Sequence, residues 1–186
     1  MIIALAGRRI DESETKTPRF PLQNVPLVKK RLKTLFIEHK AARIVCSAAC
    51  GADLIALEAA DELNLKLHIV LPFEPEIFLE TSVNDRPGDW ESLFKRIYSK
   101  AERVIILKSN NDDEEVYLEV NRRILEEAAA LCNQRNSQQA IGQSSGNNVI
   151  AVIVWEGTSR GKDDITEKFA LAAKTRNYKL AQILTK

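Results

Sequence analysis

The alternation of two kinds of segment along the chain restricts its fold more than any other feature. Short runs rich in Ile, Val and Leu recur between longer segments whose apolar residues are spaced as on one face of a helix. This alternation is typical of repeated βαβ units, in which helices cover both faces of a parallel sheet. We therefore predict an α/β fold with a Rossmann-like, doubly wound and mainly parallel sheet of about six strands flanked by helices.

Local patterns give approximate bounds for these elements. The predicted strands are 2–6, 43–47, 66–71, 103–107, 149–154 and 179–184. The predicted helices are 26–39, 52–63, 89–99, 115–132 and 163–175. Helix-start residues support these bounds, because Asp53 and Asp89 stand where helices open and Pro26 suits a first helical turn.

Length and composition indicate one globular unit. The chain has 186 residues, of which 45% are hydrophobic and 28% are charged, and both values are ordinary for a single domain. We predict one Rossmann-like domain over residues 1–186. The stretch 133–148 is rich in Gln, Ser, Asn and Gly, so we predict a mobile surface loop inserted within that domain.

The charge balance and the absence of long apolar runs exclude several classes of protein. With 27 basic and 26 acidic residues the net charge is +1, which gives no overall attraction to nucleic acid or anionic membrane. No run approaches the roughly 20 apolar residues of a membrane helix, and we expect no signal peptide. The three cysteines and two histidines lack metal-ligand spacing. We expect reduced thiols, a cytoplasmic location, and neither a metal ion nor a cofactor.

The first predicted strand ends in a candidate anion site. Open α/β sheets bind ligands at the carboxyl ends of their strands, close to helix N-termini. Gly7 would let the backbone approach a ligand there, and Arg8 or Arg9 could hold a phosphate. The alternative is a solvated turn with two surface arginines.

The second predicted strand ends in the strongest candidate. Small residues run from Ser47 and Ala48 to Gly51, and Asp53 follows in an apolar helix. Backbone amides that converge at a helix start favour an anion, and Ser47 or Asp53 could hydrogen-bond ribose hydroxyls. The alternative is tight strand-to-helix packing with Asp53 as a helix cap. The run is neither a Walker A loop nor a GxGxxG fingerprint, so nucleotide hydrolysis by those designs is not predicted.

Two further strand ends carry weaker signals. The loop after the fifth strand combines glycines, hydroxyls and cations before a helix, and it predicts a phosphate cradle. Its candidate residues are Gly157, Thr158, Arg160, Gly161 and Lys162. A polar turn capped by Asp163 is the alternative. After the third strand comes a long irregular stretch of the kind that often forms one wall of a pocket. Arg86 in this stretch could meet a phosphate, and Phe73 or Trp90 could stack on a base, but for Trp90 we favour a place in the core.

Together these motifs resemble those of the SLOG superfamily. This superfamily unites the DNA-processing protein A (Smf) family with the cytokinin-activating LOG phosphoribohydrolases. Residues 3–9 are similar to the first-strand element of the DNA-processing proteins. The run from Ser47 to Asp53, followed by an alanine-rich helix, is similar to their "SGxAxGID" run, although Ala48 replaces one glycine. The resemblance spans most of the chain and implies a Rossmann-like domain that binds nucleotides.

The resemblance also bears on catalysis. In the LOG enzymes the loop PGGxGTxxE binds the phosphate of the nucleotide and supplies a catalytic glutamate. The matching stretch here, 156–164, keeps two glycines but lacks the proline, the threonine and the closing glutamate. The resemblance therefore implies a member that senses nucleotides. Asp164 and Glu156 are the catalytic candidates if the chain instead cleaves them.

Three hypotheses for function follow. The first is binding of a nucleotide, a nucleotide-derived ligand or another small phosphorylated molecule. The second is an N-glycosidase or phosphoribohydrolase-like activity on nucleotides. The third is single-stranded DNA binding, which the near-neutral charge disfavours, since the cluster Lys29, Lys30, Arg31 and Lys33 is more simply a solvated helix face. The superfamily resemblance leaves a homo-oligomer open.

Overall fold

The computed structural model describes residues 1–108, 114–138 and 148–186. Within these ranges six strands form one sheet in which every neighbouring pair is parallel. The strands are β1 (Ile2–Gly7), β2 (Arg43–Cys46), β3 (Lys66–Leu71), β4 (Arg103–Ile106), β5 (Val149–Trp155) and β6 (Lys179–Leu184). Their order across the sheet is β4-β3-β2-β1-β5-β6.

Helices of the described ranges cover both faces of this sheet. They are α1 (Val25–Glu38), α2 (Ala52–Glu62), α3 (Pro75–Phe78), α4 (Trp90–Lys100), α5 (Glu114–Gln138) and α6 (Ile165–Thr175). The doubly wound α/β fold expected from the alternation of segments is confirmed. None of the helices in the described ranges combines the length and the apolar character that a membrane crossing requires.

The central strands are apolar along almost their whole length because both of their faces are covered. Residues 2–6 of β1 and 149–154 of β5 are all buried. The edge strands β4 and β6 are more exposed. Continuous burial in the middle with partial exposure at the edges is the expected state of a parallel sheet between two helical layers.

Side chains of the sheet alternate between two apolar cores. Ile3 and Leu5 of β1 belong to the core that includes side chains of α1, α2 and α4. Ile2 and Ala4 belong to the opposite core, which includes side chains of α5 and α6. Successive residues of a strand point to opposite faces, so the same short strand serves both cores.

The direction of winding reverses between β1 and β5. The chain places β1 to β4 successively towards one edge and then returns to add β5 and β6 on the other side of β1. In doubly wound sheets the crevice outside the strand ends at such a reversal is the usual ligand site. A ligand site is therefore expected among the residues that follow β1, β2 and β5.

Two helix starts differ from the predicted caps. The side chain of Asp164 accepts hydrogen bonds from two amides of the first turn of α6, so the cap is Asp164 rather than Asp163. Helix α2 begins after Gly51 and has no side-chain cap, so Asp53 is not a cap either. A helix start is an anion site whether the anion belongs to a ligand or to the chain itself.

Other differences concern segments with weak periodicity. The stretch after β3 was predicted to be irregular, but it contains α3 and a π-helical turn at Leu79–Val83. Trp90, the first residue of α4, is 5% exposed, which confirms its place in the core. Helix α5 continues through residues 133–138 of the predicted loop, and 139–147 lie outside the described residues.

Candidate functional site

A cavity of about 500 Å³ lies at the carboxyl ends of β1 and β2. Its walls come from the end of β1, the β2–α2 turn, the β1–α1 loop, the segment after β3, helix α5 and the β5–α6 loop. Small-molecule sites typically have volumes of about 300 to 1,000 Å³. The cavity is therefore large enough for a nucleotide-sized ligand.

The end of β1 and the β2–α2 turn are held together by close backbone approach. The amide of Ala52 donates to the carbonyl of Arg8 at 3.0 Å. A Cβ atom at Gly7 would lie 2.4 Å from the Cβ atom of Ala52, and Gly51 has a φ angle of 109°, which side-chain-bearing residues rarely adopt. Both glycines are thus explained by this packing, which brings the two predicted strand ends side by side.

Arg8 is 4% exposed and lies between β1 and the β5–α6 loop. Its Nη1 and Nη2 atoms donate to the two carboxylate oxygens of Asp164, each at 2.7 Å, and its Nε donates to Glu156 at 2.7 Å. Nη2 also donates to the carbonyl of Thr158 at 3.2 Å. Burial alone would lower the pKa of Arg8, but the two carboxylates raise it above its ordinary value. Arg8 is therefore a cation whose N–H donors are already bonded to groups of the protein itself.

Asp164 acts as an internal anion at the start of α6. Its buried carboxylate accepts hydrogen bonds from the backbone amides of Arg160, Thr166 and Glu167 at 2.8, 3.0 and 3.1 Å. Burial would raise the pKa of Asp164, but Arg8 and the amides outweigh burial and hold it well below its ordinary value. The carboxylate therefore occupies amides of the loop that the sequence suggested as a phosphate cradle.

The two catalytic candidates face the same arginine. Asp164 and Glu156 both accept hydrogen bonds from Arg8, and neither lies on the wall of the cavity. A general acid needs to hold a proton and to reach the leaving group. Both side chains are instead turned to Arg8 and away from the cavity wall, so the geometry does not place either of them where it would contact a ligand in this cavity.

Four further arginines line the cavity, and three of them are paired with carboxylates. The pairs are Arg9 with Asp85, Arg86 with Glu12, and Arg19 with Glu156. Each paired arginine still has one buried nitrogen without a hydrogen-bond partner, and these atoms are Arg9 Nε, Arg19 Nη1 and Arg86 Nε. Buried donors without hydrogen-bond partners are rare in proteins, and of the four such side-chain donors in the described residues three belong to arginines of this cavity, the fourth being Arg43 Nε.

Arg160 is the fourth of these arginines. Through its side chain it makes no hydrogen bond or ion pair with any residue that the structure describes. Partial burial, followed by the positive charge of Arg8, lowers the pKa of the Arg160 guanidinium from its ordinary value. An anion in the cavity would stabilise this charge.

Asp53 lies on the wall of the cavity in the first turn of α2 and is 8% exposed. Its Oδ1 atom has no hydrogen-bond partner, and its Oδ2 accepts one long bond of 3.4 Å from the amide of Ala49. Burial raises the pKa of Asp53 to about 7, and that amide and the charge of Arg9 offset the effect only in part. An unsatisfied buried carboxylate oxygen is costly, which singles out Asp53 within the site.

The cavity brings together part of the predicted ligand-binding set. The predicted residues on its wall are Gly7, Arg8, Arg9, Ser47, Asp53 and Arg160. The predicted residues outside its wall are Ala48, Gly51, Gly157, Thr158, Gly161 and Lys162. The first and second strand ends therefore meet at one site, and Arg160 is the predicted residue that joins them from the loop after β5.

Other wall residues were not found from the sequence. They come mainly from the β1–α1 loop and from α5, and include Asp11, Glu12, Thr15, Thr17, Arg19, Tyr117, Val120, Asn121 and Ile124. The segment after β3 was expected to form a pocket wall, and it contributes Arg86 together with Phe78 and Ser82. Asp11 carried a local signal, since an aspartate before a Thr- and Pro-containing stretch often closes a turn. The helix α5 residues carried none, because their spacing is that of an ordinary buried face.

The histidine and cysteine side chains of the described ranges do not line the cavity. His68 is buried between Glu127 and Glu102, each 3.2 Å from a ring nitrogen. Cys46, Cys50 and Cys132 are buried thiols. In the described part of the chain no group of three or more His, Cys, Asp or Glu residues is arranged to hold a metal ion.

Comparisons with known proteins identify a fold. No protein-family model matches the chain, and no curated protein matches it. The structure is similar to the X-ray structure of DNA processing protein A (DprA) from Streptococcus pneumoniae, with a TM-score of 0.54 and 16% sequence identity. The similarity covers 97% of this chain and 49% of that chain, so this chain spans about half the length of DprA. The resemblance suggested by the motifs is thus confirmed at the level of the fold: the chain has a DprA-like, Rossmann-like α/β fold.

Proposed function

We propose that this chain is a cytoplasmic domain that binds a nucleotide or a nucleotide-derived phosphate at the ends of β1 and β2. The observation that carries the proposal is the group of arginines around a cavity of about 500 Å³, namely Arg9, Arg19, Arg86 and Arg160. Guanidinium groups bind phosphate through paired N–H donors. Three of these arginines have a buried nitrogen without a hydrogen-bond partner, although Arg86 Nε lies 3.4 Å from a carboxylate oxygen of Asp85. Phosphate oxygens are acceptors for guanidinium donors.

The charge of Arg160 supports the same proposal. It has no carboxylate partner among the described residues, and the cations Arg8 and Arg19 act on it. A phosphate group next to Arg160 offsets that repulsion and gains a charge-assisted hydrogen bond. In this proposal the phosphate is held by arginine side chains rather than by the amides at the start of α6, which Asp164 already occupies.

The apolar part of the cavity favours a ligand larger than phosphate. Phe78, Tyr117, Val120 and Ile124 contribute to its wall. Phe78, Val120 and Ile124 are 1%, 4% and 1% exposed, so the half-buried Tyr117 offers most of the apolar surface on which a purine or pyrimidine base would lie. Sites that combine a few convergent polar groups with an apolar surface are typical of small-molecule binding, and a nucleotide has both kinds of surface.

Single-stranded DNA is the alternative ligand, since the similar solved protein is named for DNA processing. Two observations favour the mononucleotide. The net charge is only +1, whereas grooves for single strands are usually strongly basic. The basic cluster of α1 is also partly neutralised, because Lys29 pairs with Glu58 and Glu62 at 2.7 and 2.6 Å and Lys33 pairs with Glu62 at 2.9 Å.

Calorimetry tests the proposal directly. The chain is titrated with ribonucleotides, cyclic nucleotides and ADP-ribose, and at least one of them should bind. Arg160→Ala should weaken that binding by about 10-fold or more, the usual cost of losing a hydrogen bond to a charged group. Arg122→Ala is the matched control, because Arg122 is an exposed arginine of α5 that pairs with Glu119 and Glu126 and does not line the cavity.

Two outcomes would contradict the proposal. The first is the absence of heat with every phosphorylated ligand in a sample whose circular dichroism shows a folded chain. The second is fluorescence anisotropy in which a single-stranded oligonucleotide binds more tightly than every mononucleotide at moderate salt. That second result would favour the DNA alternative.

A further inference from the structure

The β2–α2 turn presents two polar groups that the fold leaves unused. Asp53 Oδ1 has no hydrogen-bond partner although its residue is 8% exposed. The hydroxyl of Ser47, at the other end of the turn, makes no hydrogen bond with the described residues. Both residues lie on the cavity wall. A buried acceptor without a partner requires a donor from elsewhere, and the cavity is the place from which a ligand can supply one.

The chemistry of these two groups differs from that of the arginines. A carboxylate accepts hydrogen bonds and repels phosphate, so this part of the cavity does not suit the anionic end of the ligand. A serine hydroxyl both donates and accepts. Together they suit neighbouring neutral hydroxyls, one donating to the carboxylate and one exchanging a hydrogen bond with the serine.

The surroundings favour hydroxyls of a sugar over an amino group of a base. The turn consists of small residues, Ser47 to Ala52, and gives no broad apolar surface on which a base could lie. The apolar wall comes instead from α5 and from Phe78. A ribose that connects a phosphate among the arginines to a base on the apolar wall would present its two hydroxyls to the turn.

We propose that Asp53, assisted by Ser47, is a specificity-determining residue that binds the ribose hydroxyls, so that the cavity selects ribonucleotides over their deoxy counterparts. The inference rests on the proposed function. It adds the class of sugar and the residues that recognise it.

Matched ligand pairs test this selection. The probes are the adenosine, guanosine, cytidine and uridine 5′-monophosphates and their 2′,3′-dideoxy counterparts, measured by calorimetry. For the wild-type chain the dideoxy forms should bind about 10- to 100-fold more weakly, the usual effect of losing a hydrogen bond to a charged group. Asp53→Ala should abolish this ratio, and Asp53→Asn, which keeps an acceptor oxygen without the charge, should give an intermediate ratio.

A matched control separates selection from folding. Asp61→Asn changes an acid on the same helix that pairs with Arg96 and Lys100 outside the cavity, and it should keep the wild-type ratio. The ratio of two affinities within one variant does not change when only the folded fraction of the sample changes. Circular dichroism of each variant checks the fold independently.

The outcomes distinguish this inference from the proposed function. Equal wild-type affinity for ribose and dideoxy forms overturns the inference and leaves nucleotide binding standing. A ratio that persists in Asp53→Ala also overturns it. A comparison of adenosine with inosine 5′-monophosphate tests whether Asp53 binds the base. If the wild-type chain prefers adenosine 5′-monophosphate, which carries the amino group, and Asp53→Ala loses this preference, Asp53 binds the base instead of the ribose. Absence of binding by all four ribonucleotides overturns the inference, whereas the proposed function is overturned only when the cyclic nucleotides and ADP-ribose fail to bind as well.

Discussion

Arg8 and Arg160 lie on the same cavity wall but differ in what they can bind. Arg8 is held by Asp164 and Glu156, whereas Arg160 has no carboxylate partner among the described residues. Both stand near a glycine at a strand end, and the same role in phosphate binding was therefore predicted for both. The difference arises because Arg8 and its two carboxylates, which lie far apart in the chain, meet only in the folded sheet. Tertiary contacts therefore decide which of the two arginines has N–H donors left for a ligand.

Asp53→Asn should stabilise the chain in a pH-dependent way. Because burial raises the pKa of Asp53 from 3.8 to about 7, the folded chain keeps a proton that the unfolded chain releases near pH 4. The free energy of unfolding therefore falls as the pH rises from about 4 to about 7, and it levels off above that. The asparagine variant does not lose this stability. At about pH 8 its free energy of unfolding should therefore exceed that of wild type by an amount on the order of 4 kcal/mol.

Urea unfolding of both proteins between about pH 4 and pH 8 measures this gain. The difference should be small at the acid end and should grow with pH. Asp61→Asn is the control and should show no such growth. An asparagine variant less stable than wild type at about pH 8 would mean that the Asp53 carboxylate has a stabilising partner in the apo protein. A residue that destabilises the fold but lines a cavity has the character expected of a functional group.

The β1–α1 loop is the element that brings negative charge to the cavity. Asp11 closes this loop by accepting hydrogen bonds from the amides of Arg19 and Phe20, each at 2.9 Å. Glu12, the next residue, lies 2.5 Å from Nη1 of Arg86. The loop therefore supplies a carboxylate that competes with an anionic ligand for one of the arginines.

Glu12→Gln should tighten nucleotide binding, because it removes this competitor and leaves Arg86 with the longer ion pair to Asp85 at 3.4 Å. Glu12 is largely exposed, so the gain should be modest, about threefold, and it should shrink as salt is added. Calorimetry at low and moderate salt measures it. Glu14→Gln is the matched control, since Glu14 is an exposed acid of the same loop with no ion pair in the described structure. Weaker binding by Glu12→Gln would show that Glu12 contacts the ligand instead.

The elements themselves were largely predictable, because the spacing of apolar residues is a local property of the chain. The bounds of β3 and β6 agree with the prediction, and the other strands differ at one end only. Helix α5 runs past its predicted end because the polar residues of 133–138 give no periodic signal. Helix α3 was missed since four residues are too few to show a period.

The candidate site was predictable only in part. Small residues at the ends of β1 and β2 identified two of its walls. The loop after β5 was predicted to bind phosphate through its amides, but a sequence does not reveal whether a helix start already holds its own carboxylate. Asp164 was a visible candidate for that role, because aspartate is a favoured N-cap residue. The β1–α1 loop and α5 reach the cavity only through the fold.

At the scale of the whole molecule, β1 joins two halves of the sheet. It pairs with β2 on one side and with β5 on the other. The Arg8 network lies where these halves meet, because Arg8 follows β1 and both of its carboxylates follow β5. Removal of this arginine would leave the buried Asp164 without its cation and would leave Glu156 with the longer ion pair to Arg19 at 3.6 Å.

Arg8→Met should destabilise the chain by about 3 to 5 kcal/mol, the usual cost of breaking a buried ion pair from one side. For a domain of this size the midpoint of thermal unfolding should fall by roughly 10 °C. Differential scanning calorimetry and urea unfolding measure both quantities. Arg96→Met is the control, because its ion pairs with Glu58 and Asp61 are at the surface. A loss below about 1 kcal/mol for Arg8→Met would mean that the network contributes little to the fold.

The central position of β1 also determines when a binding site can exist during synthesis and folding. Ile2 lies beside Arg43 but also beside Val149, so one edge of β1 can pair early while the other stays open until β5 has been made. Pairing of strands so distant in the chain is slow, because a long loop must close first. Since α5 and the loop after β5 both contribute to the cavity, a ligand that needs the complete cavity would stabilise the folded domain and none of the intermediates that precede it.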